Sequence, residues 1–298
     1  MNTIQRSKTS DGILGAVWSL PWLIGGFLFV LMPLGATIGL SFCQFNGTRA
    51  PTFCGFQNWS ALLDDSVLGL TLANTSTFAM LTLGFGTFVS LATAVIIHNA
   101  KFGATWWRVC MLAPTMTPLV AVGIIWRWAL NGEYGLVNHF LAWFGIDGPS
   151  WLLDVNWTLP SMVLISIWGV GQSSLVLLIG LSDVPVTIQE AARIDGAGAV
   201  SQFRQITLPL ITPLILFNLL VDMMYVWQTF AIPYIMLPGG GPGRKCYFFT
   251  MYIYDVAFRY QRFGYACALC CVELLVVLIP LFIARMLIRR LPVVPHAL

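Results

Sequence analysis

SDVPVTIQEAARIDGAGAVSQFRQITLPL, residues 182–210, is a polar island between two apolar runs at 158–181 and 209–237. Each run is long enough to cross a bilayer as a helix, which takes about 20 apolar residues. Inside the island, Glu190-Ala191-Ala192, Gly196, Ile206 and Leu208-Pro209 keep the spacing E-A-A-x3-G-x9-I-x-L-P. From Pro185 onward, Ile188 to Ile194 suit a short helix whose two alanines permit close approach by another surface. Asp195-Gly196 is a turn signal that ends it. Val200 to Gln205 reads as a second short helix, and Leu208-Pro209 as the start of the next span, since proline is tolerated in a first turn where its missing N–H is no loss. Two short helices at an angle form a compact knob. The plainer alternative is an amphipathic helix lying flat on the membrane surface.

Composition extends this reading to the whole chain. Of 298 residues, 58% are hydrophobic and 9% charged, against about 25% charged in a typical soluble domain. The apolar runs lack the period-two alternation of a barrel, and backbone polar groups in hydrocarbon must be satisfied internally, so the spans are expected to be helical. The fold class is therefore all-α, a polytopic membrane protein of about six transmembrane helices. These fall at about 13–41, 72–97, 109–131, 158–181, 209–237 and 265–288, in a single transmembrane domain over 1–298 with a cytoplasmic loop at 183–208. The first and fifth runs exceed the minimum, which predicts tilting or a break. Pro21, Pro33, Pro114, Pro118 and Pro233 are the expected kinks.

Basic residues set the expected orientation. With both termini inside, Arg6, Lys8, Lys101, Arg108, Arg193, Arg204, Arg285, Arg289 and Arg290 are internal, while Arg49, Arg127, Arg244, Lys245, Arg259 and Arg262 are external. Four of those external six fall in the last external loop, and earlier loops weigh more, so the termini and the Glu190 loop are placed in the cytoplasm. No small-residue cleavage site ends the first run, which is read as an uncleaved helix. The net charge of +3 is no argument for nucleic acid. Seven cysteines and three histidines (His98, His139, His296) form no metal-ligand spacing. Cys267, Cys270 and Cys271 read as small packing residues, and Cys43 and Cys54 share one external loop where they could pair in an oxidising compartment. Trp143, Trp151 and Trp157 in the loop 132–157 read first as interfacial anchors and second as a sugar-stacking platform.

The spacing in the polar island resembles the cytoplasmic coupling loop of the permease subunits of binding-protein-dependent ABC importers. Ile188 to Ala197 reads like that family's EAA-x-iDGA form. Gly55-Phe56-Gln57-Asn58-Trp59 resembles its GL-x-N-[YF] element, and Asn74-Thr75 its NT pair. Ile124-Ile125-Trp126 with Gly135 and Asn138 looks like its W…G-x-x-N segment, and Gly239-Gly240-Gly241-Pro242-Gly243 like its GGP loop. Tyr252-Ile253-Tyr254, Phe258 and Gly264-Tyr265-Ala266 match the stretch leading into the last span. The likeness is to carbohydrate-type permeases, similar to maltose and glycerol-3-phosphate importer subunits. It departs at Arg244-Lys245-Cys246, where the family has small hydroxyl residues.

The resemblance implies transport of a sugar or sugar derivative by alternating access, driven by ATP hydrolysis in partner subunits, across the inner membrane of a prokaryote. It implies four partners: a second permease subunit in a pseudo-twofold heterodimer, two ATPase subunits, and an extracytoplasmic solute-binding protein. ATP and Mg would be bound by the ATPase partners, with no cofactor and no enzymatic activity in this chain. The coupling residues it implies are Glu190, Ala191, Ala192, Asp195, Gly196, Ile206, Leu208 and Pro209, with Glu190 available to a basic partner residue.

A substrate pathway is expected between the fourth and fifth spans, which flank this loop. Intramembrane ionisable residues are functional candidates by default. Asp222 lies about thirteen residues into the fifth span, roughly 20 Å along it at about 1.5 Å per residue. At helical spacing Asp222, Tyr225, Val226 and Thr229 share a face, as do Trp168, Gly169 and Gln172 with Ser173 adjacent. The competing reading of Gln172 and Asp222 is polar glue between helices. Gly239 to Lys245 lacks the spacing of a phosphate-binding loop, with Cys246 in place of the hydroxyl. The rival function is an ion- or proton-coupled secondary transporter with Asp222 and Glu273 as carriers, although paired repeats are not visible.

Overall fold

A computed structural model describes residues 8–288 apart from Lys101; Arg6, Lys101, Arg289, Arg290 and His296 lie outside the described residues. The chain opens with α1 (Lys8–Gly26), a π-turn (Phe27–Leu31) and α2 (Met32–Ser41), then a minimal hairpin of β1 (Cys43–Gln44) and β2 (Thr52–Phe53). There follow α3 (Gln57–Leu63), α4 (Ser66–His98), α5 (Ala104–Leu112), α6 (Leu119–Ala129), α7 (Leu136–Ala142), α8 (Val155–Trp168) and α9 (Gly171–Ser182). The last third holds α10 (Val186–Ile194), α11 (Ala199–Gln202), α12 (Leu208–Trp227), α13 (Ala231–Met236), α14 (Phe249–Tyr254) and α15 (Phe263–Ile288).

Among the described residues four helices are long and apolar enough to cross a membrane, and two bent pairs bring the number to six if each pair is one span. The 33 residues of α4 reach roughly 50 Å at about 1.5 Å per residue, well beyond a hydrocarbon core of about 30 Å. The third span breaks by 98° between α5 and α6. Its cause is visible: Pro114 sits in a 3-10 turn, and Pro118 holds Thr117 in the extended region (φ −82°, ψ 131°), where a helix cannot continue. The fourth span bends by 49° between α8 and α9, at Gly169 and Val170. Proline had no part in that break, which the sequence reading lacked. Immediately after it, Gly171 lies against the Met111 carbonyl, which a Cβ would meet at 2.0 Å. Only glycine lets α9 approach α5 this closely.

The fifth span departs from expectation at its start and shows the expected break at its far end. No separate second helix occupies 200–205: α11 passes through a π-turn (Phe203–Thr207) directly into α12, so Leu208-Pro209 lies inside a continuing helix. At the far end α12 stops at Trp227, and Gln228 to Phe230 separate it from α13.

The chain divides into two compact units. The first comprises Met1–Asp65 and Ile253–Leu274. There the hairpin pairs Cys43 with Phe53 and Gln44 with Thr52, and the Gly264 N–H donates to the Phe45 carbonyl at 3.1 Å. The Cys43 and Cys54 thiols are free, lying against the carbonyls of Gly39 and Phe42 at 3.6 and 3.4 Å. The second unit comprises Ser66–Tyr252 and Leu275–Leu298. One apolar cluster joins Ala94 and Ile97 of α4, Leu177, Leu178 and Leu181 of α9, Val184, and Ile211 of α12. A second joins Ala79, Trp227 and Val277.

Candidate functional site

The island at 183–208 folds as a knob with both feet in the apolar cluster of α4, α9 and α12. Val184 enters it as a buried residue and Phe203 packs against it. Pro185 caps α10 at φ −59°, and the helix closes in a Schellman motif. The Gly196 N–H donates to the Arg193 carbonyl at 3.1 Å, and the Ala197 N–H to the Ala192 carbonyl at 2.9 Å. That closure needs a left-handed residue, and Gly196 supplies it at φ +79°. The Gln202 amide donates to the Ala197 carbonyl at 2.6 Å, tying α11 back across the turn.

Ala192 faces inward and is buried, while Glu190, Ala191, Asp195 and Gly196 are exposed. Ile206 and Leu208 are half-buried where the knob becomes α12, and Pro209 is exposed. Two apolar side chains the sequence reading did not single out dominate the outer surface: Ile194 is 87% and Val200 81% exposed.

Between the same two helices lies a polar cluster. Ser173 Oγ on α9 lies 2.9 Å from both carboxylate oxygens of Asp222 on α12, and Asn218 Nδ2 approaches Oδ2 at 3.4 Å. Asn218, one helical turn before Asp222, was absent from the expected set although its spacing placed it on that face. Nearby, α9 and α12 pack closely: a Cβ on Gly180 would meet Leu214 Cδ2 at 2.3 Å.

Two expected groupings do not form. Trp168 and Gln172 belong to different helices because the chain bends at Gly169, so the face they were to share does not exist. Trp168 instead sets its ring edge-on to Trp126 at 5.8 Å. Thr229 lies past the end of α12, and Val226 packs against the apolar cluster around Trp227, leaving Asp222 and exposed Tyr225 on the helical face. Gly169 and Gln172 are exposed.

The other motif residues hold loops. Asn74 Nδ2 donates to the Arg244 and Tyr247 carbonyls at 2.8 and 3.3 Å, and Thr75 Oγ1 accepts the Phe249 N–H at 2.9 Å. The stapled loop has positive φ at Gly239, Gly240, Gly241, Gly243 and Arg244. Asn138 Nδ2 donates to the Gly132, Gly148 and Pro149 carbonyls while its Oδ1 accepts from Trp151 Nε1 at 2.6 Å. Trp151, edge-on to Trp157 at 5.1 Å, is thus bound into that loop, and Trp143 remains 82% exposed.

Comparison with known proteins gives consistent findings. The family model described as "Binding-protein-dependent transport system inner membrane component" matches residues 86–292. The chain is similar to the probable ABC transporter permease protein YesP of Bacillus subtilis, at 35% identity over 91% of this chain and 89% of the relative. It is similar to the sulfoquinovosyl glycerol transport system permease protein SmoG of Agrobacterium fabrum, at 34% identity over 87% and 85%. Its fold matches a chain of a bacterial alginate ABC transporter solved with an alginate pentasaccharide-bound periplasmic protein, with TM-score 0.80 and 24% identity over 95% and 96% of the two chains.

Proposed function

This chain belongs to the family of binding-protein-dependent transport system inner membrane components, and from that premise we propose that it carries a sugar or sugar derivative inward by alternating access. The relatives named above for sulfoquinovosyl glycerol and alginate support that substrate class. The observation that carries the mechanism is the knob. It is stiffened by its own hydrogen bonds, rooted at Val184 and Phe203 in the cluster of α4, α9 and α12, and bare at Ile194 and Val200.

In this reading the knob faces the cytoplasm, as do both termini, and seats in a groove of one of two ATPase subunits, which bind ATP and Mg. Glu190, Ala191, Asp195 and Gly196 form the contact; Ala192, Ile206, Leu208 and Pro209 join it to the helices. Closure of the two ATPases draws this knob toward that of a second permease subunit. Because α9 and α12 are rooted with it, they tilt as a pair and expose the solute to the other side. Coupling of this kind needs a contact whose energy differs between two states, which a stiff elbow transmits and a flexible loop absorbs. An external solute-binding protein delivers the ligand. Of the expected pathway residues Ser173 and Asp222 meet between α9 and α12, with exposed Gln172 and Tyr225 as the groups free to meet a sugar; Trp168, Val226 and Thr229 do not join that face.

The test is ATP hydrolysis by the reconstituted complex as sugars are added with the binding protein. Wild type should be stimulated by its solute. Glu190→Lys should abolish stimulation and uptake while the subunit stays membrane-inserted. Uptake at the normal rate in that variant removes Glu190 from the coupling contact, and uptake indifferent to ATPase loss would favour an ion-coupled mechanism.

A further inference from the structure

The first unit contains a cavity of about 440 Å³ that the transport reading does not use. Gln44, Asn46, Arg49, Gln261, Arg262 and Tyr265 contribute to its wall, and no carboxylate stands among its lining residues. Among the described residues neither Arg49 nor Arg262 has a carboxylate partner within ion-pair distance; Arg259 nearby is already paired with Asp255 at 3.0 Å. Both arginines are exposed and line one wall without a carboxylate beside them, so a bound anion would meet two unneutralised positive charges.

The wall is held in shape. Asn46 Oδ1 accepts from the N–H and hydroxyl of Thr48 and from the Arg49 N–H, at 3.1–3.2 Å, fixing the turn that carries Arg49. The Arg262 guanidinium lies over the Tyr265 ring at 4.7 Å, and the Tyr265 hydroxyl is anchored on Asp65. Gln261 has φ +53°, a left-handed conformation unusual for a side chain of that size. It persists because its neighbours are bound, Tyr260 N–H to the Asp255 carbonyl and Arg262 N–H to the Val256 carbonyl, both at 2.9 Å.

Position decides the ligand's class. The candidate spans Val17–Ser41 and Phe263–Phe282 end and begin at this cavity, so its mouth lies at the depth of lipid headgroups. Planar guanidiniums bind phosphate oxygens in pairs, and amides satisfy the remaining acceptors. We propose that this cavity binds a phosphate-type oxyanion through Arg49 and Arg262. The oxyanion is carried by an anionic phospholipid headgroup or by a free phosphate. The site is independent of the coupling knob and of the solute transported.

The experiment uses the full chain purified with its partner subunits. One arm titrates phosphatidylglycerol into detergent-solubilised complex and counts bound lipid by native mass spectrometry, with phosphatidylcholine as the uncharged control. The other titrates inorganic phosphate and follows protection of the complex against heat. Arg49→Gln and Arg262→Gln should each weaken binding by about tenfold, the loss of one charge-assisted hydrogen bond, and Arg262→Lys, which keeps the charge but not the paired donors, should recover only part of it. Saturable phosphatidylglycerol binding that inorganic phosphate displaces only weakly identifies the headgroup as the source; equal affinity for inorganic phosphate identifies the free anion. Arg49 is exposed, so Arg49→Gln reads the site even if Arg262→Gln fails to fold. Equal binding of both probes by wild type and Arg49→Gln, or binding of neither, overturns the proposal. Retention of stimulated ATP hydrolysis with loss of lipid binding separates its outcome from that of the transport reading.

Discussion

Asn58 on α3, Asn74 on α4 and Asn138 on α7 perform one task. Each turns its amide nitrogen to backbone carbonyls that a loop would otherwise leave unpaired: Asn58 to Ser41 and Cys43, Asn74 to Arg244 and Tyr247, Asn138 to three carbonyls of its own loop. Asn74→Ala removes the donor and keeps the acceptors, so we expect a loss of about 1–3 kcal/mol, read as a lower melting temperature of the purified complex. Asn74→Asp should fail to rescue it, having no N–H to give. Cys246, outside the spans and fully buried, has its thiol pushed by burial to about 12. With the folded value above the unfolded one, protonated Cys246 favours the fold below the unfolded value of about 9, and that contribution fades as pH climbs toward 12. Maleimide at pH 8 should therefore leave Cys246 unmodified in the folded protein and label it after denaturation; rapid labelling of the native form would contradict its burial. The motif asparagines were legible as family marks, but their partners were not, because Asn74 and Arg244 are far apart along the chain and nothing local joins them.

At the scale of elements, apolar runs announced the spans and prolines announced one break. Pro118 constrains Thr117 by sterics that any sequence reader can apply. The bend at Gly169 and the π-turn at Phe203–Thr207 carry no such local signal. The first is set by packing of Gly171 on Met111, and the second merges what the turn residues suggested were separate helices. The bend removes the face expected around Trp168, and the π-turn puts Leu208-Pro209 inside a continuing helix where the start of a span was expected. Ser173 and Asp222 now bind α9 to α12. A double-mutant cycle of Ser173→Ala and Asp222→Asn should return a coupling of about 0.5–1.5 kcal/mol, the range for polar pairs between membrane helices, measured by unfolding in detergent. A coupling near zero would leave Asp222 free for the solute alone. Gly196→Val should destabilise the knob by about 1–2 kcal/mol through backbone strain, because open space surrounds that position and no clash intervenes. Its readout is weaker association with the ATPase subunits.

For the whole molecule, the order of spans fixes which ends share a side. The six spans read from the sequence lead to the expectation that a knob between the fourth and fifth shares a side with both termini. Arg193→Cys, at an exposed position on α10, should accordingly react with an impermeant reagent in inside-out vesicles and be silent in right-side-out ones; the reverse pattern would invert the topology. Ile194 and Val200 lie bare on that knob, and this has a bearing on how a cell keeps count of its subunits. On the proposal that an ATPase covers them in the assembled transporter, an unassembled subunit would offer a sticky foothold to chaperones and to membrane proteases. A cell making this polypeptide in excess of its proposed mates should then degrade the surplus, so that the abundance of orphans would be governed by the same few atoms proposed to meet the ATPase.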